Sequence, residues 1–154
     1  MSYTSKDIKK LREQTGAGVM DCKKALEEAK GDMKQAAKLV KQRGMARAEQ
    51  KSDRETREGY IASYVHATGK VAAMVELLCE TDFVARNDEF RVLAYDLAMQ
   101  VASMNPKDVT ELLQQEYIKD SGMTIEELVK QLSGKIGEKL AVNRIVRFEV
   151  GDKA

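Results

Sequence analysis

The sequence predicts an α+β protein in which a three-helix bundle precedes a core domain, whose small three-stranded antiparallel sheet packs on helices. Two observations support this fold class. Apolar residues recur at helical spacing over much of the chain. Three other segments, 60–66, 71–79 and 140–150, are rich in β-branched and apolar residues, as strands are. Because strands and helices are segregated in the second part of the chain, that part belongs to the α+β class.

The first 45 residues are predicted to form three short amphipathic helices. The first helix begins after Thr4 or Ser5, either of which can cap it, and stops at Gly16. The second ends near Gly31, since glycine suits the left-handed position that follows a helix. A bundle of this size is marginal as an independent unit, but it is possible.

The third helix and the segment after it mark the predicted domain boundary. Asp32 and Gln35 resemble a capping box at the start of the third helix, and Gly44 is expected to end it. Residues 46–57 carry many charges and little apolar surface, which indicates a charged linker or a helix extension. The core domain is therefore predicted to span residues 58–154.

The core domain is expected to begin with a β-hairpin. Its strands are 60–66 and 71–79, and Ala67–Lys70 makes the turn between them. A polar break follows, and the strongest helical pattern of the chain then begins, with Asn87 or Asp88 as its cap. The inward face of that helix consists of Phe90, Leu93, Ala94, Leu97, Ala98, Val101 and Ala102.

Two more helices are predicted after this long one. Asp108 and Glu111 form a capping-box pair for a short helix over about 109–119. Thr124 and Glu127 form another pair, which opens an amphipathic helix. Both helices supply apolar residues that can cover one face of the sheet.

The last strand is predicted from an alternating pattern over residues 140–150. Its even positions are expected to face the helices, and Arg144 interrupts that face. The strand would close a three-stranded sheet. The other residues of the predicted inward face are Leu140, Val142, Val146, Phe148 and Val150.

Composition argues against several classes of function. The 154 residues are 43% hydrophobic and 33% charged, and no run approaches the ~20 apolar residues of a membrane span. Residues 1–20 lack a signal-peptide pattern, so a cytoplasmic location is expected. His66 is the one histidine, and Cys22 and Cys79 stand in apolar segments, so neither a metal site nor a catalytic site is expected. No cofactor is expected either, because Gly16–Gly18 lacks the third glycine and the preceding strand of a dinucleotide site.

The net charge of +1 conceals an asymmetry. Residues 1–57 carry +6 and residues 58–154 carry −5. A basic first module leaves open an alternative function, a non-catalytic module that binds peptides, RNA or the ribosome. Its basic residues are interspersed with acidic ones, however, and Tyr3 is the one aromatic residue before Tyr60. Direct binding to nucleic acid is therefore not expected.

Two short segments indicate contacts with a partner protein. Val19 and Met20 are adjacent at a helix start, so both cannot face one narrow core stripe, and one is available to a partner. Residues 81–84 place an acidic residue beside an aromatic one between a strand and a helix. Phe83 either caps the core or serves as a wedge against a partner.

Three long segments of the chain resemble the translation elongation factor Ts family. They are LREQTGAGVMDCKKALEEAKGD, ELLCETDFVARNDEF and KIGEKLAVNRIVRFEV, and they stand in the family's order over nearly the whole chain. The sequence departs from the usual pattern at a few positions. Val19 stands where the family usually has methionine, Lys139 where it has asparagine, and Asn143 and Arg144 where a pair of arginines is common.

The resemblance implies a fold and an activity. Residues 1–45 would be a ubiquitin-associated-like domain. The activity would be guanine-nucleotide exchange on the GTPase elongation factor Tu, without chemical catalysis by this chain. Longer members have two copies of the core unit, whereas this chain has one. Short members pair two chains, so a homodimer through the core domain is expected, by way of the sheet or of the helices near 109–133.

The resemblance also assigns the site residues. Arg12, Val19 and Met20 would dock on the GTPase domain. Residues Thr81, Asp82, Phe83 and Val84 would form the loop that pushes towards the Mg²⁺ and switch region of the GTPase, with Phe83 as the wedge and Asp82 as the polar element that disturbs groups near the Mg²⁺.

Overall fold

The N-terminal part of the computed structural model, which describes residues 3–153, is a bundle of three helices. Helix α1 spans Ser5–Thr15, α2 spans Val19–Glu28 and α3 spans Met33–Gln50. Thr4 caps α1 in a reciprocal capping box, and Gly16 ends it in the left-handed conformation, as predicted. The predicted domain limits include Met1, Ser2 and Ala154, which lie outside the described residues. The bundle is held by its own apolar cluster, which consists of Leu11, Cys22, Ala25, Leu26, Ala29, Ala36 and Val40.

Helix α3 runs past its predicted end at Gly44, and of the two interpretations of the charged segment the helix extension is correct as far as Gln50. Asp32 caps it through the amides of Lys34 and Gln35, but Gly44 does not end it, and the helix continues to Gln50. The predicted end at Gly44 is wrong because tertiary packing outweighs the low helix propensity of glycine. The glycine lies against a helix of the core domain, described below, and this contact extends the helix into the charged segment.

The sheet of the core domain has three antiparallel strands. Strand β1 spans Glu58–Val65, β2 spans Val71–Cys79 and β5 spans Ala141–Glu149, in the spatial order β1-β2-β5. Between β2 and β5 along the chain lie the short helix α4 (Asp82–Ala85) and the long helix α5 (Asp88–Met104). Residues from one face of the sheet pack with α5 in the larger apolar cluster, so the predicted α+β class is confirmed.

In strand β5, the side chains that face the core change from even-numbered to odd-numbered positions partway along the strand. Glu76 pairs with Arg144 and Leu77 pairs with Val142, so Asn143 is an extra residue that forms a bulge. Because a one-residue shift moves side chains to the opposite face, Ile145 packs in the core. The predicted even-numbered inward face is therefore correct at Leu140 and Val142 and wrong at Val146, Phe148 and Val150, which are exposed.

The connection between α5 and β5 contains a hairpin that the sequence did not predict. Helix α6 spans only Val109–Gln114, and strands β3 (Glu116–Tyr117) and β4 (Asp120–Thr124) follow it. The predicted helix over 109–119 is thus too long. Gln100 of α5 explains the difference, because its amide donates to the Glu116 carbonyl at 3.0 Å and accepts from the Ile118 amide at 3.0 Å.

Helix α7 (Ile125–Ile136) joins the two parts of the molecule. Thr124 and Glu127 form the predicted capping box at its start. Helix α7 packs along α3, and Lys130 pairs with Glu49 at 3.2 Å across the contact. None of the helices in residues 3–153 is long and apolar enough to cross a membrane.

Candidate functional site

Residues 81–84 form one exposed helical turn at the end of β2. Thr81 is the N-cap of α4, and its hydroxyl accepts from the Val84 amide at 3.4 Å. Asp82 is exposed and pairs with Arg86 at 3.1 Å. Val84 is buried in the core, so it anchors the turn. The four predicted loop residues therefore divide into a cap, an anchor and two outward side chains.

Phe83 is the most exposed large apolar side chain of the described residues. Its relative exposure is 83%, so it does not cap the core. An aromatic side chain in water gains free energy when a partner buries it, and exposed groups of this kind mark interaction sites. The geometry therefore favours the wedge interpretation of Phe83 over the core interpretation.

Two carboxylates from distant segments fix the start of this turn. Glu138, which follows α7, accepts from the amides of Glu80 and Thr81 at 3.1 and 3.0 Å, and its other oxygen accepts from the Thr81 hydroxyl at 2.7 Å. Glu80 in return accepts from the Lys139 amide at 2.7 Å. Neither glutamate was predicted as a site residue. Glu138 lies within one of the segments that resemble the family, but no local pattern links it to residue 81.

Cys79 lies beneath the turn and is chemically inert. Burial, together with the nearby Glu138 charge, raises the pKa of the Cys79 thiol from 9.0 to about 11. The thiol donates to the Thr81 carbonyl at 3.2 Å. Because the thiolate is the reactive form, this cysteine serves as a small core residue.

The three predicted docking residues lie on the surface of the N-terminal bundle. Val19 and Met20 begin α2 and are 48% and 61% exposed, while the next turn of the helix buries Cys22. The sequence predicted that one of the pair would be exposed, and both are. Arg12 is exposed in the last turn of α1. The bundle thus presents two adjacent apolar side chains that its own core does not use.

The outer face of the sheet is a second apolar surface. Phe148 is 70% exposed on β5, and Val65 lies across from it on β1, with Ala72 between them. Met74 and Val146 form the next pair along the same face. We call this surface the outer sheet face; its exposed apolar members are Ile61, Val65, Met74, Val146 and Phe148.

The remaining candidate for chemistry is His66, at the end of the first hairpin strand. Its ring nitrogen Nδ1 lies 3.0 Å from the hydroxyl of Tyr64. Among residues 3–153, no three His, Cys, Asp or Glu side chains are grouped as metal ligands. The described surface instead presents exposed apolar side chains in three places, which are the Phe83 turn, the start of α2 and the outer sheet face.

Comparison with known proteins finds similarity to one family. A family model described as Elongation factor TS matches residues 80–154. The chain is 41% identical to elongation factor Ts of Thermotoga neapolitana over 189 aligned positions, which cover 95% of this chain and 96% of that protein. It is 36% identical to elongation factor Ts of Fervidobacterium nodosum, over 99% of this chain and 100% of that protein. It is also 45% identical to that of Aquifex aeolicus, over 99% of this chain and 54% of that protein. The first two alignments are longer than this chain, so those relatives contain inserted segments that it lacks.

Proposed function

The chain belongs to the elongation factor Ts family, and from this premise we propose that it is the guanine-nucleotide exchange factor of elongation factor Tu. Family membership supports a role in translation elongation. The observation that carries the finer proposal is Phe83, an aromatic side chain exposed on an anchored turn. The proposed partner is the GTPase, the proposed location is the cytoplasm, and the factor itself makes and breaks no covalent bond.

Exchange of this kind requires only differential binding. A factor that binds the nucleotide-free GTPase more tightly than the GDP form weakens GDP binding by the same ratio. Equal affinity for both forms would shift nothing. The task of this chain is therefore to make contacts that the GDP-bound, Mg²⁺-bound conformation cannot accommodate.

The turn at residues 81–84 is suited to that task. Mg²⁺ in such GTPases bridges phosphate oxygens and is held by few protein groups, so displacing its supporting loops weakens the whole nucleotide site. In the proposal Phe83 inserts as a wedge, and Asp82 brings a carboxylate close to the groups around the metal. Thr81 caps the turn and Val84 fixes it to the core, so that the two outward side chains move as one unit.

Docking of the bundle supplies affinity separately from the wedge. We propose the division into a docking domain (1–45), a connecting segment (46–57) and a core domain (58–154). Val19 and Met20 offer exposed apolar area, and Arg12 offers a cation. Aromatic, methionine and arginine side chains are enriched at the centres of protein interfaces.

We further propose that two chains pair through the outer sheet face. The helices near 109–133 were the alternative contact, but α7 is already covered by α3. The outer sheet face presents exposed apolar residues on all three strands, and a two-fold axis would set this patch against its own copy. Two sheets packed in this way form a sandwich ~10 Å thick. Each chain would keep its own Phe83 turn available.

The proposal is tested by the release of fluorescent GDP from purified elongation factor Tu. The chain is expected to accelerate release, and the double substitution Asp82→Ala, Phe83→Ala is expected to abolish most of that acceleration. Val92→Ala, which truncates an exposed apolar side chain of α5, is the matched control and should remain active. Absence of acceleration, or full activity of the double variant, would contradict the proposal. A steep, salt-dependent affinity for RNA that Phe83→Ala leaves unchanged would instead support the alternative RNA-binding function.

A further inference from the structure

Glu138 bonds directly to the residues from which the Phe83 turn begins. Its Oε1 accepts from the amides of Glu80 and Thr81, and its Oε2 accepts from the Thr81 hydroxyl. The acceptor is a carboxylate, so these are charge-assisted hydrogen bonds, which are stronger than neutral ones. The contact joins positions 57 and 58 residues apart along the chain.

The contact is reciprocal. The Glu80 carboxylate accepts from the Lys139 amide at 2.7 Å and from Arg54 at 3.3 Å. Each glutamate therefore crosses to the backbone of the other's segment. A rotation of either segment breaks hydrogen bonds on both sides, so the pair restrains orientation as well as separation.

The segment that carries Glu138 is itself fixed. Gly137 ends α7 in the left-handed conformation, and the Ser133 hydroxyl of α7 donates to the Glu138 carbonyl at 2.6 Å. Helix α4, in contrast, is a single turn of four residues, and a helix this short is unstable without outside support. The order of the turn therefore comes from outside it: Val84 packs in the core, and Glu138 ties Thr81 to the packed helix α7.

We infer that Glu138 is a positioning residue for nucleotide exchange. It touches no nucleotide and acts through Thr81, whose orientation determines where α4 presents Asp82 and Phe83. A pre-oriented turn does not spend binding free energy on ordering itself, so that energy remains available to displace the GTPase loops. This inference rests on the exchange function proposed above.

A positioning role and a purely stabilising role predict different kinetics. If Glu138 orients the wedge, its loss lowers the maximal GDP-release rate at saturating factor. The half-saturating concentration changes little, because the surface of Arg12, Val19 and Met20 is intact. If Glu138 only stabilises the fold, the fully folded variant releases GDP at the wild-type maximal rate. A loss of activity that came only from unfolding would also persist in a chain that lacks the Asp82 and Phe83 side chains.

The experiment combines amide exchange with GDP-release kinetics on the full chain. Glu138→Ala is expected to speed hydrogen exchange at the Glu80 and Thr81 amides by about tenfold and to lower the maximal release rate by about tenfold. Glu138→Gln keeps one acceptor oxygen and should lie between Glu138→Ala and wild type. Glu126→Ala, an exposed glutamate of α7, is the matched control and should match wild type in both measurements. In an Asp82→Ala, Phe83→Ala background, Glu138→Ala should cause no further loss of the remaining activity.

Three results would overturn the inference while the wild-type chain remains active. They are unchanged exchange at the Glu80 and Thr81 amides, a wild-type maximal rate in Glu138→Ala, and an additional loss from Glu138→Ala when Asp82 and Phe83 are both already truncated. Inactivity of the wild-type chain is a different result, because it would reject the exchange function itself. The failure of the inference and the failure of the proposed function are therefore separable.

Discussion

Gly44 of α3 and Gly134 of α7 lie in backbone contact where the two helices cross. A Cβ atom on Gly134 would overlap the carbonyl group of Gly44, whereas a Cβ on Gly44 would have no atom within 4 Å. The crossing therefore requires glycine on one side only. This contact lies between the N-terminal bundle and the core domain, and it sets how closely α3 approaches α7.

The first prediction follows from that asymmetry. Gly134→Ala should lower the free energy of unfolding by about 1–3 kcal/mol, because the helices must separate to admit the methyl group. Gly44→Ala should raise it by about 0.5–1 kcal/mol, because alanine is the better residue in a helix interior and meets open space here. Urea unfolding of the two variants checks both signs. Equal effects of the two substitutions would contradict the contact.

The second prediction concerns Met20, which we expect to contribute to docking on the GTPase. Met20→Ala should raise the half-saturating concentration of the factor in the GDP-release assay by about tenfold, because an exposed anchor is lost. The maximal rate should change little, since Phe83 is untouched. Met104→Ala truncates a methionine of comparable exposure at the end of α5, and it should leave both parameters unchanged. A fall in the maximal rate alone would argue against a docking role.

The third prediction is that the outer sheet face determines the oligomeric state of the chain. Wild-type chain should have about twice its 17.2 kDa mass in light scattering. The double substitution Val65→Lys, Phe148→Lys should give the monomer mass, because two desolvated ammonium groups per chain oppose an apolar interface. Lysine is well tolerated on exposed edge strands, so the monomer should stay folded.

The matched control for that pair is Val92→Lys, Met104→Lys, which places the same charges on α5 at apolar side chains of similar exposure. This variant should remain a dimer. If it dissociates as well, the interface lies elsewhere, and if neither variant dissociates, the outer sheet face is not the contact.

The fourth prediction is that acid weakens the contribution of Glu80 to stability. The hydrogen bond from the Lys139 amide, followed by Arg54, lowers the pKa of Glu80 below its usual 4.5. A lowered folded-state pKa means that the stabilising contribution is fully present above the unfolded-state value and is lost as pH falls through the folded-state value. The difference in unfolding free energy between wild type and Glu80→Gln should therefore be constant near neutral pH and shrink below about pH 4.5. Urea titrations at several pH values measure it, and a difference that persists into acid would exclude this role.

The features that the sequence predicted correctly are those with local causes. Thr4, Asn87 and Thr124 each cap a helix through the amide three positions ahead, so the few residues around them contain the whole interaction. The β1–β2 hairpin was predicted for the same reason, because its strands adjoin a short turn.

The errors in the predicted fold have distant causes. Gly44 continues a helix because of Gly134, and the β3–β4 hairpin replaces a helical turn because Gln100 satisfies its backbone groups. Neither partner can be identified from the sequence near the element that it alters. Tertiary contacts outweigh local propensity at these positions.

The candidate site shows the same division. Sequence motifs identified Phe83 as a candidate, but only the structure shows that it is exposed and that Val84 is the buried member of the turn. Glu138 was missed because its role depends on a contact across the fold with Thr81. The side chains proposed to contact a partner could be predicted from the sequence, whereas Glu138, which is proposed to orient them, could not.

The bulge at Asn143 determines which side chains of β5 face solvent in the rest of the strand. Before the bulge the strand points its even-numbered side chains inward, and after it the odd-numbered ones. Regular alternation through the same residues, with no bulge, would place Phe148 inside and Ile145 outside. The solvent-facing apolar surface of this strand is therefore created by one unpaired backbone position, and the hydrophobic pattern of the residues alone would have buried it.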